Sequence, residues 1–170
     1  EPLEPNLMKK ESVSLKKAFI EVISKRQNWI VAFYGGLMFA PTSAFAGLWG
    51  VPFIMSAYGV SSTLAGSAIS MTFIGWIFGG PLFGKISDHF QSRKITLLFS
   101  AIGSLVSFYL AVYVIGSFNL IFIWLFLFGL CSSAFLPSFS IIQEINSSQT
   151  NATALGYMNT MNMIGGAMLQ

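Results

Sequence analysis

Four long apolar runs without a charged residue dominate this sequence, and a fifth begins near Ala152 and continues to Gln170. The four runs occupy residues 29–57, 63–83, 95–115 and 120–142. Each is long enough to cross the roughly 30 Å hydrocarbon core of a bilayer as a helix. Because a helix satisfies its own backbone hydrogen bonds in lipid, the sequence predicts an all-α, polytopic transmembrane helix bundle with about four complete helices and part of a fifth.

Charged residues are few and unevenly placed. They make up 9% of the chain, against about 25% in an ordinary soluble domain. All nine Lys and Arg residues lie within residues 9–26 and 85–94, while the connections at 58–62 and 116–119 contain none. By the positive-inside rule both basic stretches are cytoplasmic, residues 1–27 included. The pattern indicates membrane topology and predicts no nucleic-acid partner.

A polar lead, residues 1–27, precedes the predicted transmembrane domain, residues 28–170. Apolar residues recur in the lead at helical spacing among lysines: Leu15, Ala18, Phe19, Val22 and Ile23. This predicts an amphipathic helix suited to a membrane surface, either a solvated linker helix or one that contacts lipid or a partner. Because the chain starts without Met and stops within a predicted helix, we expect a truncated fragment of a longer polypeptide.

The second run carries small residues along one helical face: Ala65, Ala68, Thr72, Gly75 and Gly79. A neighbouring helix backbone can approach closely along such a face. The pattern therefore predicts a packing seam, with a face that lines a substrate route as the alternative.

The first run is longer than a straight crossing needs. Pro41 and Pro52 each remove a backbone hydrogen-bond donor inside it. A tilted and kinked helix accommodates both the length and the prolines.

The stretch GKISDHFQSRK, residues 84–94, holds most of the charge found after residue 28. It resembles the short cytoplasmic signature of the major facilitator superfamily, usually G-x-L-A-D-r-x-G-r-R/K, which lies between the second and third helices of a six-helix half. Three positions depart from that pattern. His89 stands where a basic residue is usual, Gln91 replaces the second Gly, and Ser92 replaces the first of the two final basic residues.

A weakened signature is similar to the copy in the second half of such transporters. The fourth run lacks the Arg that members often carry in the first half, and residues 151–166 resemble the start of the eleventh helix. The resemblance implies helices seven to ten and part of eleven, with the N-terminal half of the same transporter as partner. It implies a secondary active transporter in a lipid bilayer, moving a small-molecule solute by alternating access, with no enzymatic activity and no cofactor. The loop pattern fits a bacterial inner membrane.

The charged turn also predicts a cytoplasmic latch. Gly84 opens the signature, and Asp88 is an anion that can stabilise a helix N-terminus pointed at it. In family members that N-terminus belongs to the other half. Arg93 needs an acid at the same face, and Glu144 ends the fourth run. We expect Asp88, Arg93 and Glu144 to cluster and to separate as the protein opens inward. The alternative is that these charges only set topology at the headgroup surface.

The apolar runs contain no Asp, Glu, Lys, Arg or His, so this part of the protein supplies no intramembrane charge as a functional residue. The candidates for a solute cavity are Tyr34 and Trp49 on the first helix and Asn159 and Asn162 on the fifth. The two asparagines are three residues apart and are expected to share a face. The resemblance favours them, since family members build the cavity partly from helices seven, ten and eleven. Alternatively, such residues bridge helices or lie at the headgroup level.

A second function class stays open: a non-transporting membrane interaction or assembly protein that dimerises through the small-residue face. A membrane enzyme is disfavoured because the sequence offers no paired carboxylates and no nucleophile with a base. The single Cys131 lies inside an apolar run, which excludes a cysteine-based metal site. We therefore predict no catalytic residues and no metal site.

Overall fold

A computed structural model describes residues 14–114 and 116–170, and every regular secondary-structure element there is helical, with short connections between the helices. The elements are α1 (Leu15–Ser24), α2 (Arg26–Pro41), a π-helical segment (Thr42–Trp49), α3 (Gly50–Tyr58), α4 (Ser62–Phe90), α5 (Arg93–Tyr113), α6 (Phe118–Ser132), α7 (Phe135–Ile145) and α8 (Asn151–Leu169). The first thirteen residues of the predicted lead lie outside the described part of the chain.

Four helical stretches are long and apolar enough to cross a membrane: Arg26–Tyr58, Ser62–Phe90, Arg93–Tyr113 and Phe118–Ile145. They coincide with the four apolar runs, and α8 begins where the fifth run was expected. The predicted all-α, multi-pass membrane bundle is confirmed.

The first span is irregular in a way that its prolines only partly predict. Pro41 ends α2, Pro52 lies in the first turn of α3, and the π-helical segment joins the two helices without an intervening loop. Proline disturbs the turn that precedes it, because it lacks an N–H and its ring crowds an earlier carbonyl. The irregularity therefore takes the form of wide helical turns in mid-span.

The fourth span is divided, which corrects the expectation of one uninterrupted helix over residues 120–142. α6 ends at Ser132 and α7 begins at Phe135, with Ser133 and Ala134 in a turn between them. Pro137 explains the division, because its ring clashes with the carbonyl four residues earlier, that of Ser133. The Ser133 carbonyl instead accepts a hydrogen bond from the Leu136 N–H at 2.9 Å.

The small-residue face of α4 is buried at every predicted position, and it packs against α6. A Cβ atom added to Gly79 would meet the backbone of Leu130, and one added to Gly129 would meet the backbone of Thr72. The packing seam is confirmed. Dimerisation through this face is wrong, because α6 of the same chain already occupies it.

One face of α1 belongs to the bundle. Ala18 and Val22 are 2% and 0% exposed, and Val22 shares a core cluster with Ala32 of α2 and Ile142 of α7. The remaining face is open, with Leu15 83% exposed. α1 is therefore both part of the bundle and an exposed amphipathic surface.

Candidate functional site

The charged signature is mostly helical, which corrects its description as a loop over residues 84–94. α4 continues through Phe90, the chain turns at Gln91 and Ser92, and α5 begins at Arg93. Gln91 adopts a left-handed backbone conformation, with φ +47°. The signature thus places Asp88 on the last turn of one helix and Arg93 on the first turn of the next.

Arg93 and Glu144 form an ion pair, in which Arg93 Nη2 donates to Glu144 Oε1. The pair joins the start of α5 to the end of α7. The two side chains are 38% and 55% exposed, and a pair this open to solvent contributes about 0.2–1 kcal/mol of stability. The contact is therefore weak enough to break and reform at little cost.

Asp88 stands beside this pair without joining it. Among residues 14–114 and 116–170, the ion pairs are Arg93–Glu144 and Lys25–Glu21. Asp88 and Arg93 instead line a cleft of about 480 Å³ between α4 and α7, together with Gly84 and Ser140. The structure thus brings together two of the three charges expected in the latch and leaves the third on a cleft wall.

The Tyr34 hydroxyl is hydrogen-bonded to a neighbouring helix. It lies 3.0 Å from Ser100 Oγ and 3.2 Å from the Leu97 carbonyl oxygen, both on α5. This arrangement satisfies the phenol and ties α2 to α5. The bridging alternative fits Tyr34 better than solute contact does.

The two asparagines of α8 have different surroundings, which corrects the expectation of one shared cavity. Asn159 is exposed, whereas Asn162 is 1% exposed. The reason is geometric, because residues three apart on an α-helix point about 60° away from each other. Trp49, at the end of the π-helical segment, is 57% exposed.

Asn162 has unused hydrogen-bonding capacity. Its buried Oδ1 has no partner among the residues that the structure describes. Gly35 makes room for it, since a Cβ on Gly35 would lie 2.9 Å from Asn162 Oδ1 and 3.2 Å from Ser138 Oγ. Three helices, α2, α7 and α8, therefore enclose a small polar spot in an apolar interior.

A family model described as the Major Facilitator Superfamily matches residues 8–169. The chain belongs to the major facilitator superfamily. An Arabidopsis thaliana protein named "Probable plastidic glucose transporter 1" is 25% identical over 174 residues, covering 96% of this chain and 33% of that protein. The chain thus spans about a third of that relative's length. No solved structure matches this chain.

Membership of the major facilitator superfamily gives meaning to Gln91. The resemblance put the signature's second Gly at this position, and the backbone here has the left-handed conformation that glycine adopts without strain. Gln91 therefore occupies a backbone conformation better suited to the glycine that the signature usually has at this position.

Sequence reasoning missed a polar cluster at the predicted cytoplasmic end. Asn28 and Asn146, both buried, exchange side-chain amide hydrogen bonds of 2.9 and 3.1 Å. Lys25 Nζ donates to Asn146 Oδ1 at 3.2 Å and to the Ile145 carbonyl at 3.3 Å. A cation at a helix C-terminus is favourable, so this cluster fastens the end of α7 to the start of the first span. The sequence signal was one asparagine just before the first apolar run and another shortly after the fourth.

Sequence reasoning also missed Trp76 of α4. Its Nε1 donates to Ser132 Oγ at 2.9 Å, and its ring lies 4.9 Å from that of Phe135 and 6.2 Å from that of Phe39. The hydrogen bond connects α4 to the end of α6, and the aromatic contacts connect it to α7 and α2. Trp76 thereby supports the divided fourth span from one side.

The described residues offer no cluster of metal ligands. Within the described ranges, 14–114 and 116–170, no three His, Cys, Asp or Glu residues lie close enough to hold a metal ion. The arrangement is a helical framework whose polar contacts can break and re-form.

Proposed function

We propose that this chain is the C-terminal half of a secondary active transporter that moves a small solute by alternating access. The family match over residues 8–169 carries the proposal. The N-terminal half of the same polypeptide would supply the other wall of the solute pathway. In this proposal residues 1–27 face the cytoplasm, and the bacterial inner membrane stays a prediction from the loop pattern.

We further propose that the solute is uncharged. The apolar runs of this half carry no ionisable side chain of Asp, Glu, Lys, Arg or His, so this half offers a charged solute no compensation in a low-dielectric interior. The similarity to a protein named as a glucose transporter makes D-glucose the first solute to test.

Asn162 is the strongest solute-contact candidate of this half, followed by Asn159 and Trp49. A buried carbonyl oxygen without a partner costs about 1–3 kcal/mol, and a solute hydroxyl could relieve that cost by donating to it. Asn159 and Trp49 are exposed and could contact a solute held between the two halves. Tyr34 ranks last because its hydroxyl is already used.

The Arg93–Glu144 pair is proposed as the latch of the closed cytoplasmic side. A contact worth up to about 1 kcal/mol can shift a two-state equilibrium by up to about fivefold. Such a bias suffices for a step that must reverse in every cycle.

Exchange of radiolabelled D-glucose in proteoliposomes tests the transport proposal. The natural polypeptide is expected to exchange the sugar faster than empty liposomes do. Asn162→Ala should weaken apparent affinity at least severalfold, whereas Thr160→Ala, an exposed neighbour, should not. No exchange of D-glucose or of any other neutral solute would contradict the proposal.

A charge swap tests the latch. Arg93→Glu and Glu144→Arg should each alter the exchange rate, and the double variant should restore it. Lys85→Glu, an exposed signature cation outside the pair, is the matched control. If a disulfide between Arg93→Cys and Glu144→Cys in a Cys131→Ser background leaves exchange unaffected, the pair does not need to open.

A further inference from the structure

The open side of α1 forms a groove with α8. The groove has a volume of about 550 Å³ and is lined by Leu15 and Phe19 of α1 and by Gly156, Tyr157 and Met161 of α8, among others. Leu15 and Phe19 are 83% and 50% exposed. An apolar groove of this kind, left open to water, is unfavourable by about 25 cal/mol for each Å² of apolar surface.

The groove lies at the edge of the membrane. α1 ends two residues before the first membrane span begins at Arg26. Trp29, a residue type enriched at membrane–water interfaces, packs edge-on against Tyr157 at 5.5 Å. The groove therefore lies close to the end of the first membrane span.

Charge beside the groove selects among amphiphiles. Lys16 is exposed on α1 and lies about 60° around the helix from Phe19, whereas Lys17 lies about 160° from both Leu15 and Phe19, on the far side. A Lys near a membrane surface favours anionic lipid by about fivefold. The groove wall also contains the hydroxyl-bearing residues Thr153 and Thr160. Together the apolar lining, the position at the end of the first span and the Lys16 cation match a phospholipid with an acidic headgroup.

We propose that the α1–α8 groove binds one anionic phospholipid, with an acyl chain between the helices and the headgroup near Lys16. The bound lipid covers the apolar face of α1 that the bundle leaves open. It thereby holds α1 against α8 and fixes the direction in which the lead enters the first span.

Gly156 offers a clean way to fill the groove. A Cβ added there meets no atom within 4 Å, so the side chain of Gly156→Leu can extend into the groove. Gly66 of α4 also has open space at its Cβ, which makes Gly66→Leu the matched control. Lys16→Gln removes the cation beside the groove, and Lys17→Gln, on the far side of the same helix, is the control for charge.

Native mass spectrometry of the natural polypeptide, purified in mild detergent with equal phosphatidylglycerol and phosphatidylcholine, tests the proposal. Wild type and Gly66→Leu should retain one phosphatidylglycerol that Gly156→Leu loses at least tenfold. Lys16→Gln should retain it at least fivefold less, with Lys17→Gln unchanged. Equal retention of both lipids, or equal retention by Gly156→Leu, would overturn the proposal. So would a photo-crosslinker at Phe19 that captures polypeptide instead of lipid.

Discussion

The contact between α4 and α6 and the contacts at the end of α7 hold the same bundle together by opposite means. Between α4 and α6, glycines bring two backbones together, and any added side chain would meet main-chain atoms. At the end of α7, Asn146 and Glu144 are held by Lys25, which lies between α1 and α2, and by side chains of α2 and α5. The first contact depends on shape and the second on hydrogen bonds and charge.

The difference separates permanent from reversible contacts. Close backbone packing has one arrangement and no partial state, because atoms at contact distance cannot interpenetrate. Polar contacts near the membrane surface can be replaced by water or by other partners at a small net cost. We therefore expect substitutions in the α4–α6 seam to reduce stability most, and substitutions at the Arg93–Glu144 ion pair to reduce it least.

Gly129→Val should have the largest effect. Its side chain would overlap the Thr72 backbone of α4, and overpacking against atoms that cannot easily move should cost about 3 kcal/mol, the upper end of the usual range. Gly66→Val, where the added atoms enter open space, should leave stability nearly unchanged. Titration with dodecyl sulfate, followed by circular dichroism, measures both. Equal stability of the two variants would show that the seam can relax.

Asn28→Leu should rank second. It removes the hydrogen bonds that Asn28 makes with Asn146 and with the Val22 carbonyl, each worth about 0.5–1.5 kcal/mol. The double variant Asn28→Leu with Asn146→Leu should lose less than the sum of the two single losses. Strict additivity in the same titration would mean that the two amides do not act as a pair.

Gln91→Gly should stabilise the protein, which reverses the usual effect of glycine. A non-glycine residue in the left-handed region costs about 1–2 kcal/mol, partly offset by the greater freedom of glycine in the unfolded chain, so a gain of about 1 kcal/mol is expected. Ser92→Gly, at φ −137°, should bring no gain. A loss of stability in Gln91→Gly would indicate that the Gln91 side chain does more than occupy the turn.

Arg93→Gln should have the smallest effect on stability, below about 1 kcal/mol. The difference from wild type should shrink between 0.15 and 1 M salt, because the Debye length falls from about 8 Å to about 3 Å. Lys85→Gln, which removes a cation outside the ion pair, should show no such dependence. A loss comparable with that of Asn28→Leu would place the ion pair among the permanent contacts.

The membrane spans and the α4 seam were predictable because both are encoded locally. Apolar length reveals a span, and small residues at steps of three and four reveal a close helix contact. The family resemblance likewise rested on local features, mainly the short stretch at residues 84–94 and also residues 151–166.

The polar contacts were harder to predict because their partners are distant in sequence. Asn28 and Asn146 are 118 residues apart, and neither pattern nor spacing pairs them. The division of the fourth span was readable from Pro137, although proline is often tolerated in membrane helices. The different environments of Asn159 and Asn162 depend on how α8 is rotated against α2, which is a property of the packed bundle.

The π-helical segment gives the first span two different partners. Gly36 and Ile54 are 18 residues apart, about five complete turns of an α-helix, so in an unbroken helix they would share one helical phase. Gly36 instead packs beside Met161 of α8, whereas Ile54 shares a core cluster with Ala68 and Ile69 of α4.

The length of the segment sets this phase difference. Deleting Gly47, where an added Cβ would meet nothing within 4 Å, removes no packing contact of its own, yet in a segment that keeps its wide turns it would rotate α3 relative to α2, by somewhat less than the roughly 100° of an α-helical residue. Ile54 would then turn away from α4. For this stretch of the protein, a one-residue deletion is more severe than any conservative replacement, because the number of residues matters more than their identity.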